Sequence, residues 1–530
     1  MEEIYWHIQM NQPWGRNNGK IDSRLMLKDT LPIIGTGEWD DFQCRNFTGE
    51  SSEGLNVNDI ILVREGSVPI ALCKIESDCF RDSNLKAKFH HDYYRYVEVL
   101  SYYANTEPFP QPQSTLQRLY NSKTDSWKFI NKFYNNVMQL KNIESVEKLL
   151  KYKKQIILQG PPGTGKTKLA KEIANHFVSQ NINSNDPSKY LLTEEDIRSV
   201  INTGSKITSI NKSKVYEIVE LKENTIALKS PTSKIWTPSY NKIIKSFNDK
   251  LWSQSRTGGY RPYEDAIAKH ISEKFSSKTN HVISTKEDEN DYISVIQFHP
   301  SYTYEDFVRG IVAHSVNNQI QYLTQDKTIA NVANNALIDP LHNYIIIIDE
   351  INRANLSSVL GELIYALEYR AEEVNTLYEK DGDSRIELPN NLYIIGTMNT
   401  ADRSVGHIDY AIRRRFAFVN VLPKDLSKES DLIFDEPLFK TISELFISNY
   451  NDYITNPNIS LQRAKTLSPE FSPEDVWLGH SYFIDKSEVG GDINTRLQYE
   501  IKPILLEYVK DGILIGKVSN QNIEDYIKTL

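Results

Sequence analysis

Residues 160–167 read Gly160-Pro161-Pro162-Gly163-Thr164-Gly165-Lys166-Thr167. Glycines at this spacing let successive backbone N–H groups turn inward around phosphate oxygens. Lys166 is then placed to reach the β- and γ-phosphates of a nucleotide, and the Thr167 hydroxyl to ligate Mg²⁺. A short apolar run, Gln155 to Leu158, precedes the loop, and Leu169, Ile173 and Phe177 follow it at helical spacing. The loop therefore sits between a strand and a helix whose N-terminal dipole favours an anion. A glycine-rich turn without a nucleotide is the blander reading, and the flanking elements weigh against it.

Two further apolar runs end in polar clusters. Tyr344-Ile345-Ile346-Ile347-Ile348-Asp349-Glu350 has four consecutive isoleucines, a pattern that suits a strand covered on both faces in a parallel sheet. At its end Asp349 would hold Mg²⁺ through water, and Glu350 would polarise the attacking water. Tyr393-Ile394-Ile395-Gly396-Thr397 runs into Met398-Asn399-Thr400-Ala401-Asp402-Arg403-Ser404, where Asn399 is placed to sense the γ-phosphate and the lytic water. Next comes Arg413-Arg414-Arg415. Three adjacent arginines suit a solvated basic face. They equally suit an arginine finger given to a neighbouring subunit, which stabilises charge on a transferring phosphoryl group.

The order of phosphate loop, acidic strand, sensor strand and arginine cluster resembles the AAA+ superfamily. Within it, three stretches are similar to the McrB family, the GTPase subunits of modification-dependent restriction systems. They are Gln297 through Phe307 (QFHPSYTYEDF), Asp349 through Ala354 (DEINRA) and Met398 through Ser404 (MNTADRS), the last being the most specific. Leu478-Gly479-His480-Ser481-Tyr482-Phe483, followed by Tyr499-Glu500-Ile501, adds a fourth. The resemblance runs over roughly residues 150–510. It implies an α/β fold, with an AAA+ parallel-sheet nucleotide-binding core and a C-terminal helical lid. It also implies a ring, a hexamer in this family, and a separate McrC-like nuclease as partner. The implied catalytic set is Glu350, Asn399, Asp402, Arg413, Arg414 and Arg415, with Thr167 and Asp349 on Mg²⁺ and residues 160–167 on the nucleotide.

GTP as fuel rests on the resemblance alone, and ATP stays open. The nearest string to a guanine-reading Asn-Lys-x-Asp is Asn211-Lys212-Ser213-Lys214, with lysine in place of the acid. No acidic or histidine-rich nuclease constellation stands out, so cleavage is expected from the partner. A MoxR-type AAA+ chaperone is the alternative. It shares the Asp-Glu-Ile-Asn-Arg-Ala string, but is not expected to carry the Met-Asn-Thr-Ala-Asp-Arg-Ser string. A scaffold that binds nucleotide without hydrolysis is opposed by the intact Glu350 and Asn399.

Composition sets the outer bounds. Of the 530 residues, 39% are hydrophobic and 25% charged, ordinary values for a globular chain of several domains. No apolar run approaches the about 18 residues of a membrane span, and the acidic start MEEIYWHIQM does not read as a secretory signal. Cys44, Cys73 and Cys79 are too scattered for a disulfide framework and fit reduced thiols in a cytoplasmic protein. His90-His91 reads as a solvated or packing pair. A net charge of −9 opposes bulk attraction to DNA, so nucleic-acid contact must come from a local patch or a shaped pocket.

Four segments follow from the pattern. Residues 1–104 hold short β-like runs and Gly-rich turns; residues 105–150 hold a Pro-rich linker and a helical approach from Leu116. The core is 151–420, with a β-containing insertion at about 186–290, and 421–530 is a helical lid in which Asp431–Tyr450 and Leu497–Asp511 are the best helices. Lysines interleaved with Tyr240, Phe247 and Trp252 fit either nucleic-acid binding or an amphipathic helix, and the helix is the favoured reading. Segment 1–104 has 11 Lys and Arg against 16 Asp and Glu, yet carries Trp6, Trp14 and Trp39. Three of its runs, from Tyr5, Ile34 and Asp59, are similar to PUA-like barrels of the EVE and YTH type, which hold a flipped, modified base in an aromatic cage. That resemblance implies a reader of modified nucleic acid, with Trp6, Trp14 and Trp39 as the pocket and methylated DNA as the ligand. A small barrel whose tryptophans are core residues remains the other reading.

Overall fold

The structure is a computed structural model that describes residues 4–10, 23–37, 41–110, 114–184, 194–210, 214–222, 224–248, 251–254, 258–279, 289–316, 319–402, 408–429 and 432–530. The chain forms two compact units. One comprises residues 1–144, 425–440 and 483–500, and the other 145–424, 441–482 and 501–530. The stretch after residue 420 is thus divided between them. Among the described residues, no helix is long and apolar enough to cross a membrane.

The first unit is built on strands β1 (Tyr5–Gln9), β2 (Ile33–Thr36), β3 (Ile60–Glu65), β4 (Val68–Ile75), β5 (Tyr93–Tyr102) and β6 (Leu116–Leu119). They form one mixed sheet in the order β2-β5-β4-β3-β1-β6, with β1 and β3 parallel. Alternation along each strand feeds two apolar clusters. Trp6, Ile8, Ile61, Val63 and Cys73 enter one, while Tyr5, Leu62, Leu72 and Leu100 meet Phe109, Trp127 and Ile130 in the other. Two buried arginines fasten loops to this sheet through neutral acceptors. The Arg64 guanidinium donates to His7 Nδ1 (3.1 Å), Gln9 Oε1 (2.8 Å) and the carbonyls of Gly66 and Ser114. Arg95 donates to the carbonyls of Phe47, Ser77 and Leu55. Burial lowers the His7 pKa to about 4, so it stays neutral and can accept from Arg64.

Three expectations for this region are corrected. Leu116–Leu119 is a strand, not the start of a helix, because it pairs antiparallel with β1; the helix begins at Asp125 and runs to Lys153. The Pro-rich stretch is no free linker, since Phe109 is buried and its N–H donates to Ser67 O at 2.8 Å. Trp6 lines no open pocket: it is 1% exposed, in the core, and its indole N–H donates to Asp59. Trp14 and Trp39 lie outside the described residues, as do Asn211–Ser213, Arg403 and Ser404. Cys44, Cys73 and Cys79 are free thiols, and His91 is buried edge-on against Tyr94.

The second unit holds a parallel sheet. Its strands are β7 (Gln155–Gly160), β12 (Ile293–Gln297), β15 (Tyr344–Asp349), β18 (Leu392–Asn399) and β19 (Ala417–Asn420), ordered β12-β15-β18-β7-β19. Ile345 to Ile348, on β15 between β12 and β18, are buried, as expected for a strand covered on both faces. Between β7 and β12 the insertion forms a separate antiparallel sheet of β8 (Lys206–Thr208), β9 (Val215–Leu221), β10 (Ile226–Lys229) and β11 (Ile235–Trp236). Helix Tyr240–Asn248 buries Tyr240, Ile243 and Phe247 in the core of this insertion, so those aromatics pack and do not offer a stacking surface. Two hairpins, β13–β14 (Arg309–Val316, Gln319–Asp326) and β16–β17 (Glu373–Lys380, Asp383–Glu387), are joined by Lys380 of the second, which lies 2.6 Å from Asp326 of the first, and Asp326 also pairs with Arg309 across its own hairpin at 2.7 Å. Arg309 also donates to Thr376 Oγ1.

Helical structure follows Asn420, as the periodicity suggests, but in shorter pieces. Asp431–Tyr450 is not one helix. It gives Glu436–Ser443, and the chain then turns because Phe446 O accepts from Ala464 N and Ser448 N donates to Gln462 O. Leu497–Ile501 is a π-helical turn leading into helix Lys502–Lys510.

Candidate nucleotide site

Parallel pairing brings the ends of β7, β15 and β18 together. Asn399 lies opposite Gly160 across the β18–β7 pair, and β15 flanks β18 on its other side. Helix Lys166–Ser184 starts at the same edge. Lys166 is 7% exposed, and its ammonium donates to the carbonyls of Gly160 (3.0 Å) and Pro161 (2.7 Å). Burial lowers its pKa to about 8, against the opposing pull of Glu350 and Asp349. A phosphate oxygen, being charged, is a stronger acceptor for this cation than the two carbonyls.

Asp349 accepts from the Thr167 hydroxyl at 2.7 Å and from the Thr397 hydroxyl at 2.6 Å. Thr397 Oγ1 in turn accepts the Glu350 N–H at 3.2 Å. Glu350 has φ +54, a left-handed conformation that costs a non-glycine residue about 1–3 kcal/mol. Its carboxylate is held on both oxygens, by Asn399 Nδ2 at 2.5 Å and Arg353 Nε at 3.2 Å. Arg353 also lies 3.5 Å from Asp402. Asn352 Nδ2 donates to Asn399 O. The predicted residues Thr167, Asp349, Glu350, Asn399 and Asp402 thus form one connected network.

The arginines divide. Arg415 has a side chain only 10% exposed, tied to Glu368 at 2.7 Å and to Ala411 O. Arg414, 65% exposed, also reaches Glu368, at 3.1 Å. Arg413 is exposed and lies 5.0 Å over the Phe418 ring. Gln155, at the start of β7, donates to Arg415 O and Leu367 O and accepts from Arg370.

Sequence reasoning missed Thr397, Arg353 and the contact that segment 478–482 makes with the loop. Thr397 carried a usable signal: two residues before Asn399 on a strand, it faces the same side. Segment 478–482 is marked by its resemblance, but its contact with the loop has no local signal, since that contact spans over 300 residues (from 162 to 479). Gly479 N donates to Pro162 O and Ser481 N to Gly163 O, both at 3.0 Å. A Cβ on Gly479 would lie 2.0 Å from Gly163 C, and one on Gly163 (φ +79) 2.5 Å from the Tyr482 ring. Only glycines permit this approach.

These residues fit a nucleotide and Mg²⁺. Thr167 and Asp349 offer adjacent hard oxygen donors, and Lys166 a buried cation beside a helix N-terminus. Among the described residues no group of three or more His, Cys, Asp or Glu could hold a metal ion. Thr397→Val keeps the shape and removes the hydroxyl that holds Asp349. We expect about a 10- to 100-fold weaker Mg²⁺ dependence of turnover, the usual range for loss of a group that orients a metal ligand. A magnesium titration of wild type against variant checks this, and an unchanged half-saturation point would contradict it.

The AAA domain family (dynein-related subfamily) matches residues 155–235 and 267–416, which include the phosphate loop, the acidic strand, the sensor strand and the arginines. A region of 234 residues is 36% identical to the type IV methyl-directed restriction enzyme EcoKMcrB subunit of Escherichia coli, covering 41% of this chain and 47% of that protein. Another, of 191 residues, is 29% identical to the type II restriction enzyme BsuMI component YdiS of Bacillus subtilis, covering 34% of this chain and 51% of that protein. The chain spans about half the length of the curated relatives it matches. With loop, acids and sensor assembled at one edge of a parallel sheet, this chain has a McrB-like AAA+ nucleotide-binding core.

Proposed function

We propose that this protein hydrolyses a nucleoside triphosphate, GTP by its likeness to McrB and otherwise ATP, as one subunit of a hexameric ring. The ring drives a separate McrC-like nuclease against DNA that carries modified bases. The observation that carries this reading is the 36% identity to the E. coli McrB subunit, joined to the connected Thr167–Asp349–Thr397–Glu350–Asn399 network. Lys166 binds the β- and γ-phosphates. Thr167 and Asp349 would hold Mg²⁺, which would supply charge neutralisation on the phosphates. Glu350 takes a proton from the attacking water, and Asn399 and Arg353 hold its carboxylate in place. Asp402 keeps Arg353 in reach. A MoxR-type chaperone receives no support from the two relatives, both components of restriction enzymes.

The arginine geometry supports a finger given in trans by Arg413 or Arg414, which are exposed, since Arg415 is nearly buried and held by both Glu368 and a backbone carbonyl. A double Arg413→Ala, Arg414→Ala variant and a Lys166→Ala variant should each lose roughly a thousandfold or more in turnover, the scale of a missing finger. Mixed, they should recover activity, because some sites then combine an intact loop with a neighbour's intact arginine. Absence of recovery at every ratio, in mixtures shown to co-assemble, would contradict the trans assignment.

We further propose that the N-terminal unit reads a modified, flipped base. An acidic segment with 11 Lys and Arg against 16 Asp and Glu is a poor general DNA binder, so a shaped pocket is the workable route. With Trp6 in the core, Trp14 and Trp39 carry the pocket. The full chain should bind a methylated oligonucleotide at least about tenfold more tightly than its unmethylated twin, from a methyl group filling an apolar pocket, worth about 1–3 kcal/mol. Trp14→Ala with Trp39→Ala should erase the difference. Equal affinities in the wild type would contradict it.

A further inference from the structure

The segment 478–482 has no role in the hydrolytic network described above, yet it is fastened to the phosphate loop by two backbone hydrogen bonds and by glycines with no room for a Cβ. Thr400, next to Asn399, adds a third tie through its hydroxyl to Asp475 O at 2.8 Å. His480 sits in the middle of this strap and is 7% exposed. Its Nδ1 faces the Lys424 N–H at 3.3 Å. A backbone N–H can only donate, so Nδ1 is the acceptor and the ring proton is on Nε2. Nε2 lies 3.8 Å from the position that a Cβ on Gly165 would take, beside the last glycine before Lys166. Among the described residues Nε2 makes no hydrogen bond, although Nδ1 does.

We infer that His480 is a nucleotide-binding residue, its Nε2–H donating to an oxygen of the non-transferred phosphates held by the loop. The strap then reports whether the loop is filled, in the diphosphate and triphosphate states alike. The electrostatics agree. Burial first, then Lys424 and Lys168, hold the His480 pKa down at about 3, so the donor is a neutral imidazole throughout the physiological range. The same two lysines favour an anion beside it. The inference rests on nucleotide binding by the core and on nothing about the partner or the ring.

The test is equilibrium binding by the full-length chain, with Mg²⁺, of GDP and of a non-hydrolysable GTP analogue, together with their adenine counterparts; the tighter base is used for the variants. His480→Gln places an amide donor where Nε2 was. His480→Asn keeps an acceptor near Nδ1 but reaches no further. We expect His480→Asn to weaken diphosphate and triphosphate analogue equally, by roughly 10- to 100-fold, the range for a hydrogen bond to a charged acceptor. His480→Gln should stay within about threefold of wild type. If His480→Asn does not fold, His480→Leu replaces it with the same expectation. Wild-type affinity in His480→Asn, an equal loss in both variants, or a loss confined to the triphosphate analogue would overturn the assignment. Failure of the wild type to bind any nucleotide would instead sink the proposed function.

Discussion

Parallel pairing of β15, β18 and β7 is the constraint on which the site depends. Strands that run the same way place their C-terminal ends at one edge, and there the chain delivers Asp349 and Glu350, Thr397 and Asn399, and the phosphate loop. The sheet must therefore tolerate a concentration of polar groups at one margin. It contains a cation, Lys166, that burial disfavours, and a left-handed Glu350. Four buried isoleucines on β15 alone contribute about 1.5–3 kcal/mol each before entropy is subtracted, enough to offset strain of that size. The stiffness of the sheet is what holds the strained residue in place.

Two kinds of tie then convert the edge into a defined site. Hydroxyl groups link acids to the loop: Thr167 and Thr397 both donate to the same oxygen of Asp349, while Thr397 accepts from Glu350 N–H. Backbone groups link the strap to the loop, with Gly479 and Ser481 donating to Pro162 and Gly163. The second tie uses no side-chain chemistry and depends on two glycines meeting. That explains why it leaves little mark in a sequence read locally.

What could be read in advance follows the same division. Glycine spacing around Lys166, an isoleucine run ending in Asp349-Glu350, and Asn399 at the end of the next apolar run are each local patterns, and each lies where its pattern places it. Leu116–Leu119 was misread because a four-residue apolar-polar string has no period of its own; pairing with β1 decides it. Trp6 was misread because a tryptophan beside a tyrosine signals an aromatic pocket and a barrel core equally well, and only the opposite facing of Tyr5 and Trp6 shows both are core. Arg415 could not be told from Arg413 and Arg414 by type. Glu368 and Ala411, which hold it, are found only in the fold.

The central claim is that Glu350 is the group that activates water in a site that otherwise binds nucleotide through the loop and Mg²⁺. Glu350→Gln removes the base and keeps the shape and the Asn399 contact. Measured side by side, nucleotide affinity should remain within a few fold of wild type while single-turnover hydrolysis falls by about 100-fold or more, about 100-fold being the lower end of the range for loss of a general base. Hydrolysis at the wild-type rate with affinity intact would contradict the account.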